Sequence, residues 1–202
     1  MTKLQLIFSV MGNIQQSAPT QDGLKQVHPQ EVAIEVSKAY DTVVASFFDN
    51  PQFINNYDLD YFCKSYDISL QEQNGLSYAT LPVNPIPLKY GLGIRLVKPK
   101  NSNVLISRMS ESEFVNLKDL EAFCCSPVPF CYIDYANKRV VLQSNRTEYK
   151  VMDEITVKIV VKFTDLSDSD VINTPGGDYQ LTEMVMKTMG LRPTDNTNDD
   201  VK

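Results

Sequence analysis

Ile155, Val157, Ile159, Val161 and Phe163 alternate with Thr156, Lys158, Val160 and Lys162. This is the period of a β-strand with one buried face, so the chain must supply both a sheet to hold the strand and a layer to cover that face. An acidic linker carrying Asp165, Asp168 and Asp170 follows and leads to Thr174-Pro175-Gly176-Gly177-Asp178. That run reads as a turn whose Asp178 can cap an amphipathic helix. The helix places Leu181, Met184, Val185 and Met189 on one stripe with Met186 off it, and Gly190 supplies the stop. Beyond it the chain is polar through Pro193, Asp195, Asn196, Asn198, Asp199 and Asp200. Strand, linker, helix and tail are elements of assembly, and none of their residues forms a catalytic pattern.

At 202 residues the chain is long enough for one good core with extensions. Hydrophobic residues at 43% and charged residues at 22% exclude wholesale disorder and fibrous repeats. The formal charge of −6, without any run of Lys and Arg interleaved with aromatics, argues against sequence-specific or tight electrostatic nucleic-acid binding. The four cysteines, Cys63, Cys124, Cys125 and Cys131, form no CxxC pair, so small buried thiols in a reducing compartment are expected rather than a zinc site. The start, Met1 to Val10, superficially resembles a signal peptide, but Gln5 and Ser9 interrupt it and no small-x-small cleavage site follows. No stretch approaches the ~20 apolar residues needed to cross a bilayer, and no membrane partner is expected.

The domain organisation expected is an N-terminal arm over 1–30, a single α+β domain over 31–190 and a polar tail over 191–202. The arm ends in a Gln-, Ser-, Pro- and Gly-containing stretch, Gln15 to Gly23, and either docks on a neighbour or adds an element to the chain's own core. A helix begins after His28-Pro29, with Glu31 in its first turn and Val32, Val36, Ala39, Tyr40, Val43, Val44 and Phe47 on one face. Asn50-Pro51 stops it. A second helix after Asp58, with Leu59, Phe62, Cys63 and Tyr66 on a shared face, would complete an N-terminal helical hairpin within 31–68.

Residues 76–163 read as a mixed strand region. Pro82, Pro85, Pro87 and Pro99 exclude helices from most of its start. Strands are expected at Leu92–Val97 and Val104–Arg108 around a turn at Lys98 to Asn101. Ser110 or Ser112 can cap a short helix containing Phe114, Leu117, Leu120 and Phe123. Phe130–Tyr135 and Arg139–Gln143 form a hairpin around Ala136-Asn137-Lys138, and the strand 155–163 completes the sheet. The C-terminal helix is placed at 178–190, where its methionines suit either an irregular partner or gaps in the chain's own core. Without strand–helix repetition, the class is α+β with a mainly antiparallel β-sheet, a C-terminal helix and a polar tail.

The chemistry-bearing residues each read more simply as structure. His28, the single histidine, sits beside Pro29 at a helix start, so a Ser-His or Cys-His mechanism has no base elsewhere. Gly91-Leu92-Gly93 begins like a dinucleotide fingerprint but lacks the third glycine and runs into a strand. Asp165, Asp168, Asp170 and Asp178 lack the loop pattern and terminal glutamate of a calcium site. Asp58 with Asp60, and Glu111 with Glu113, have no basic or metal-binding companions. An anion at Gly176-Gly177 would compete with Asp178. The residues therefore point to no catalytic, cofactor-binding or metal site, and to a protein that is not an enzyme.

The C-terminal block carries a resemblance. Glu154-Ile-Thr-Val-Lys-Ile-Val-Val-Lys-Phe163, then Thr174-Pro-Gly-Gly-Asp178, a helix ending Met189-Gly190 and the tail Arg192-Pro-Thr-Asp-Asn-Thr-Asn-Asp-Asp200 resemble structural proteins of Bacteroidetes-infecting crAss-like phages, among them the connector, or ring, proteins stacked below the portal. Tyr90-Gly-Leu-Gly-Ile-Arg95 and Phe130-Cys-Tyr-Ile-Asp-Tyr135 are compatible with the same group. The resemblance implies a virion structural protein of a short-tailed bacteriophage, made in the bacterial host cytoplasm. Its copies would form a homo-oligomeric ring, twelve-fold by resemblance, that joins portal to tail. Its partners would be itself, the portal protein and neighbouring neck or tail ring proteins. DNA would pass through the lumen during ejection without sequence-specific binding, which a negative chain permits. The alternative is a non-virion phage assembly chaperone or protein-binding module. An enzyme would show a deep polar pocket, whereas a ring subunit would expose large apolar surface when isolated.

Overall fold

The computed structural model describes residues 1–17, 28–50, 59–73, 75–118, 120, 129–143, 153–172 and 177–191. In chain order the elements are α1 (Lys3–Ser17), α2 (Pro29–Asp49), a 3-10 turn (Leu59–Phe62), β1 (Cys63–Ser69), β2 (Gln71–Gln73), β3 (Leu76–Thr80), a 3-10 turn (Lys89–Gly91), β4 (Ile94–Pro99) and β5 (Ser107–Arg108). They continue with α3 (Glu111–Leu117), β6 (Phe130–Asp134), β7 (Arg139–Gln143), β8 (Glu154–Val160), a 3-10 turn (Phe163–Asp165) and α4 (Gly177–Thr188). The class is α+β. The chain divides into two compact units: a helical unit, Met1–Phe62 with Lys162–Lys202, and a sheet unit, Cys63–Val161.

In the helical unit α1, α2 and α4 pack on one another pairwise. Each supplies one stripe at helical spacing: Leu6, Val10 and Ile14 from α1, Val32, Val36, Tyr40 and Val43 from α2, and Leu181 and Val185 from α4. The N-terminal helical hairpin is present, and its members are α1 and α2. The described part of the 1–30 arm is thus a helix in the chain's own core.

The second helix expected after Asp58 is instead a single 3-10 turn followed by strand β1. Cys63 and Tyr66 fit helical spacing, but Tyr66 and Ile68 also fit period two, and seven consecutive pairs with β8 decide between them. Asp178, expected to precede α4 as its cap, falls within the helix range, which begins at Gly177. Met186 is buried while Met184 and Met189 are only half-buried, because α4 faces both α1 and α2 and its covered surface is wider than one stripe.

The sheet unit holds two sheets, a three-stranded one ordered β1-β8-β4 and a five-stranded one ordered β2-β3-β7-β6-β5. The period-two strand is the central strand of the first, with Ile155, Val157 and Ile159 fully buried. It ends at Val160, and Phe163 belongs to the 3-10 turn beyond it. The hairpin around Ala136-Asn137-Lys138 forms as expected, with Asp134 paired to Arg139. Of the strand expected at Val104–Arg108, only Ser107–Arg108 forms, and it joins β6 in parallel. All other strand pairs are antiparallel.

Candidate functional site

The N-terminus of α1 is anchored by the acidic linker through backbone atoms. Lys3 N–H donates to the Asp170 carbonyl at 3.0 Å and Leu4 N–H to the Asp168 carbonyl at 3.4 Å. Thr2 bridges Val171, and Ile172 N–H donates to the Met1 carbonyl at 2.8 Å. These bonds satisfy N–H groups that a helix start leaves without intrahelical partners. Asp170 also folds its own loop, its Oδ2 accepting from Ser167 N–H at 2.6 Å. The linker therefore forms a docking loop for α1, to which Asp168 and Asp170 contribute their backbone carbonyls. Backbone carbonyls do this work, which no side-chain pattern in the sequence announces.

Lys3 is turned inward by the same arrangement. Its Nζ donates to the Leu166 carbonyl at 2.7 Å and lies 5.4 Å from the centroid of the Phe163 ring. Phe163 in turn packs on Tyr40, with centroids 5.2 Å apart, and its N–H donates to Oδ1 of Asp41 at 2.9 Å. Burial raises the Asp41 carboxyl above its ordinary value, with the Phe163 hydrogen bond and Lys162 opposing that and Asp165 adding to it. Burial likewise raises the Tyr40 phenol.

With Lys3 turned inward, the outward stripe of α1 carries Leu4, Phe8, Gly12 and Gln15, with half-buried Met11 beside them. Leu4 is 44% exposed and Phe8 55%. Gln5, Gln15 and Gln16 are exposed on the same side, so Leu4 and Phe8 are two large apolar side chains left open one turn apart on an otherwise polar face.

The sheet unit contains an open groove of about 530 Å³ lined by Gly91, Arg108, Ser110, Glu111, Ile133 and Tyr135, among others. Arg108, which lines it, is tied to the backbone: its Nη1 donates to the carbonyls of Gly91, at 2.9 Å, and Ile94. Glu113 is equally committed. Its carboxylate accepts from Ser110 N–H at 2.9 Å while Ser110 Oγ accepts from Glu113 N–H at 3.2 Å, a capping box for α3. The Ser110 side chain and N–H hold the Glu113 carboxyl below its ordinary value. A second depression, about 610 Å³, is rimmed by Lys100, Asp153 and Glu154. There Lys100 pairs with Glu154 at 2.5 Å and Asp67 at 3.5 Å, a solvated network of small energetic weight.

The remaining candidate residues are placed by backbone needs. His28 is the N-cap residue of α2, its carbonyl accepting from Glu31 and Val32, with no capping bond from its side chain. Gly93 is required by close approach, since a Cβ there would stand 2.2 Å from the Ile86 carbonyl oxygen. Gly91 has φ +68, a turn conformation that favours glycine. Cys131 is fully buried on β6, and burial pushes its thiol up to about 12, which removes it as a nucleophile. Asp60 lies in a 3-10 turn, whereas Asp58, Gly176, Cys124 and Cys125 lie outside the described residues. Among the described residues no group of three or more His, Cys, Asp or Glu is placed to hold a metal ion. Nor is any described helix long and apolar enough to cross a membrane.

No protein-family model matches this chain, and no curated protein matches it. The α+β class and the apolar surface of α1 therefore stand on the geometry alone.

Proposed function

We propose that the protein is a virion structural subunit of a crAss-like phage, one of the copies that form a ring in the neck or tail and connect portal to tail around the DNA passage. The observation that carries this reading is apolar surface left open on each unit of the isolated chain. Leu4 and Phe8 stand one turn apart on α1. In the sheet unit Val104, Leu105, Val115 and Leu120 are each about half exposed. Side chains of this kind lose favourable burial until a neighbour covers them, which is the condition of a subunit awaiting assembly. The resemblance of the C-terminal half supplies the kind of assembly. The net charge of −6 supports a passage that conducts DNA without gripping it.

Quantitative mass spectrometry of gradient-purified particles, with copy number measured against the portal protein, tests the reading. Recovery at portal-like stoichiometry is the expected result. Absence from clean particles overturns it and leaves an assembly chaperone as the working hypothesis.

A further inference from the structure

We infer that the sheet unit, Cys63–Val161, is a domain inserted into the helical unit, and that the two open and close as separate cooperative units. The inference does not rest on the virion reading.

The sheet unit is one unbroken stretch of chain, whereas the helical unit is built from the two ends, Met1–Phe62 and Lys162–Lys202. An insertion is tolerated where its two ends lie side by side, because the host then closes across the gap as it would across a short loop. Here Cys63 opens β1, Val160 closes β8, and the two are paired in the antiparallel ladder. Val161 bridges Pro85, which secures the last residue of the insert within its own unit. The flanking residues are secured within the helical unit. Phe62 packs on Phe47 and Phe48 of α2, with ring centroids 6.0 and 6.2 Å apart, and Phe163 packs on Tyr40 of the same helix. One helix of the host thus grips both points at which the chain leaves and re-enters it.

Each unit also has what a domain needs to fold by itself. The helical unit buries Leu6, Val36 and Leu181, one from each of three helices that pack pairwise. The sheet unit buries Val97, Val140 and Ile155 on strands of its two sheets. At roughly a hundred residues each, both exceed the size at which a single core suffices. The ladders of β1 to β8 run entirely within residues 63–160, so opening the helices breaks none of their hydrogen bonds. A partner that rearranges the helices on binding therefore leaves the strands in register, and the chain responds to a neighbour by local opening rather than by global unfolding.

Hydrogen-exchange mass spectrometry of the full chain in low urea tests this, with Leu181→Ala and Ile155→Ala as perturbing substitutions, one buried in each unit. Leu181→Ala is expected to speed exchange of the slowest amides of α2 and α4 by at least about tenfold. The slowest amides of β7 and β8 are expected to stay within about twofold of the parent chain. Ile155→Ala is expected to do the reverse. Should Leu181→Ala abolish the helical fold outright, the inference still requires β7 and β8 to remain protected. It is overturned if either substitution speeds exchange in both units by a common factor, or if protection is lost everywhere at once, since helices and strands would then form one cooperative unit. Exchange that quickens only beside the substituted residue, with the rest of its own unit unchanged, would overturn it as well, because neither unit would then open as a whole.

Discussion

The backbone N–H of Phe163 donates to Oδ1 of Asp41 at 2.9 Å, tying the 3-10 turn that follows strand β8 to the middle of α2. The bond sits beside the ring contact between Phe163 and Tyr40, so a polar anchor and an aromatic one act on the same residue.

Asp41→Ala removes the acceptor from an N–H that is already half-enclosed and is expected to destabilise the chain by about 1–2 kcal/mol. Asp41→Asn keeps a carbonyl acceptor and is expected to be close to neutral. Urea denaturation of the two variants separates the outcomes. Equal losses for Ala and Asn would show that the charge, and not the hydrogen bond, holds the turn.

The same carboxyl has a pH signature. Burial raises its folded-state value above the ordinary 3.8, so the native state holds this proton more firmly than the unfolded state. Its contribution favours folding at low pH and is lost as pH rises through the folded value. Glu113 and Asp134, held below their ordinary values by Ser110 and Asn137, act with the opposite sign. Their contribution is present above the unfolded values and is lost as pH falls through the folded ones. Relative to the parent chain, Asp41→Asn is therefore expected to gain stability as pH rises out of the acid range. Thermal melts of both chains across that range check the sign.

Gly93→Ala and Gly12→Ala are expected to move stability in opposite directions. At Gly93 the added methyl collides with the Ile86 carbonyl, a backbone atom that cannot step aside, and a loss of about 3 kcal/mol is expected. At Gly12 the methyl enters open space and raises helix propensity, so the single folded chain gains up to about 1 kcal/mol. Thermal melts of the two variants give both values.

Ser110→Ala removes the side-chain half of the capping box on α3, the Oγ that accepts from Glu113 N–H, while the backbone N–H that donates to Glu113 is kept, and is expected to cost about 1 kcal/mol. Phe114→Ala, in the same helix, removes a buried ring packed on Tyr132 with centroids 4.9 Å apart and is expected to cost about 3–5 kcal/mol. A Ser110 loss as large as the Phe114 loss would mean that the cap positions the whole helix.

Leu6→Ala tests the standing of α1. Leu6 is fully buried among the helices of its unit, and its truncation is expected to cost about 2–5 kcal/mol. A loss under about 0.5 kcal/mol, the range of ordinary surface substitutions, would make residues 3–17 a detachable arm after all.

Local pattern determined what it could reach. The alternation from Ile155 made β8 a strand, Pro29 with Glu31 started α2, a serine at 110 or 112 marked the start of α3, with Ser110 proving to be the cap, and Ala136-Asn137-Lys138 turned the β6–β7 hairpin, because each signal lies within a few residues of its effect. Tertiary structure decided the rest. Residues 63–69 suit either period, and pairing along β8 made them a strand. Residues 3–17 could serve a neighbour or their own core, and packing against α2 and α4 placed Leu6, Val10 and Ile14 inside. That same docking turned Lys3 inward and left Leu4, Phe8 and Gly12 facing out, so the candidate surface depends on contacts with residues more than 160 positions away. A sequence shows which stripe of a helix is apolar, but when two stripes are, only the partners brought from far along the chain determine which one is covered.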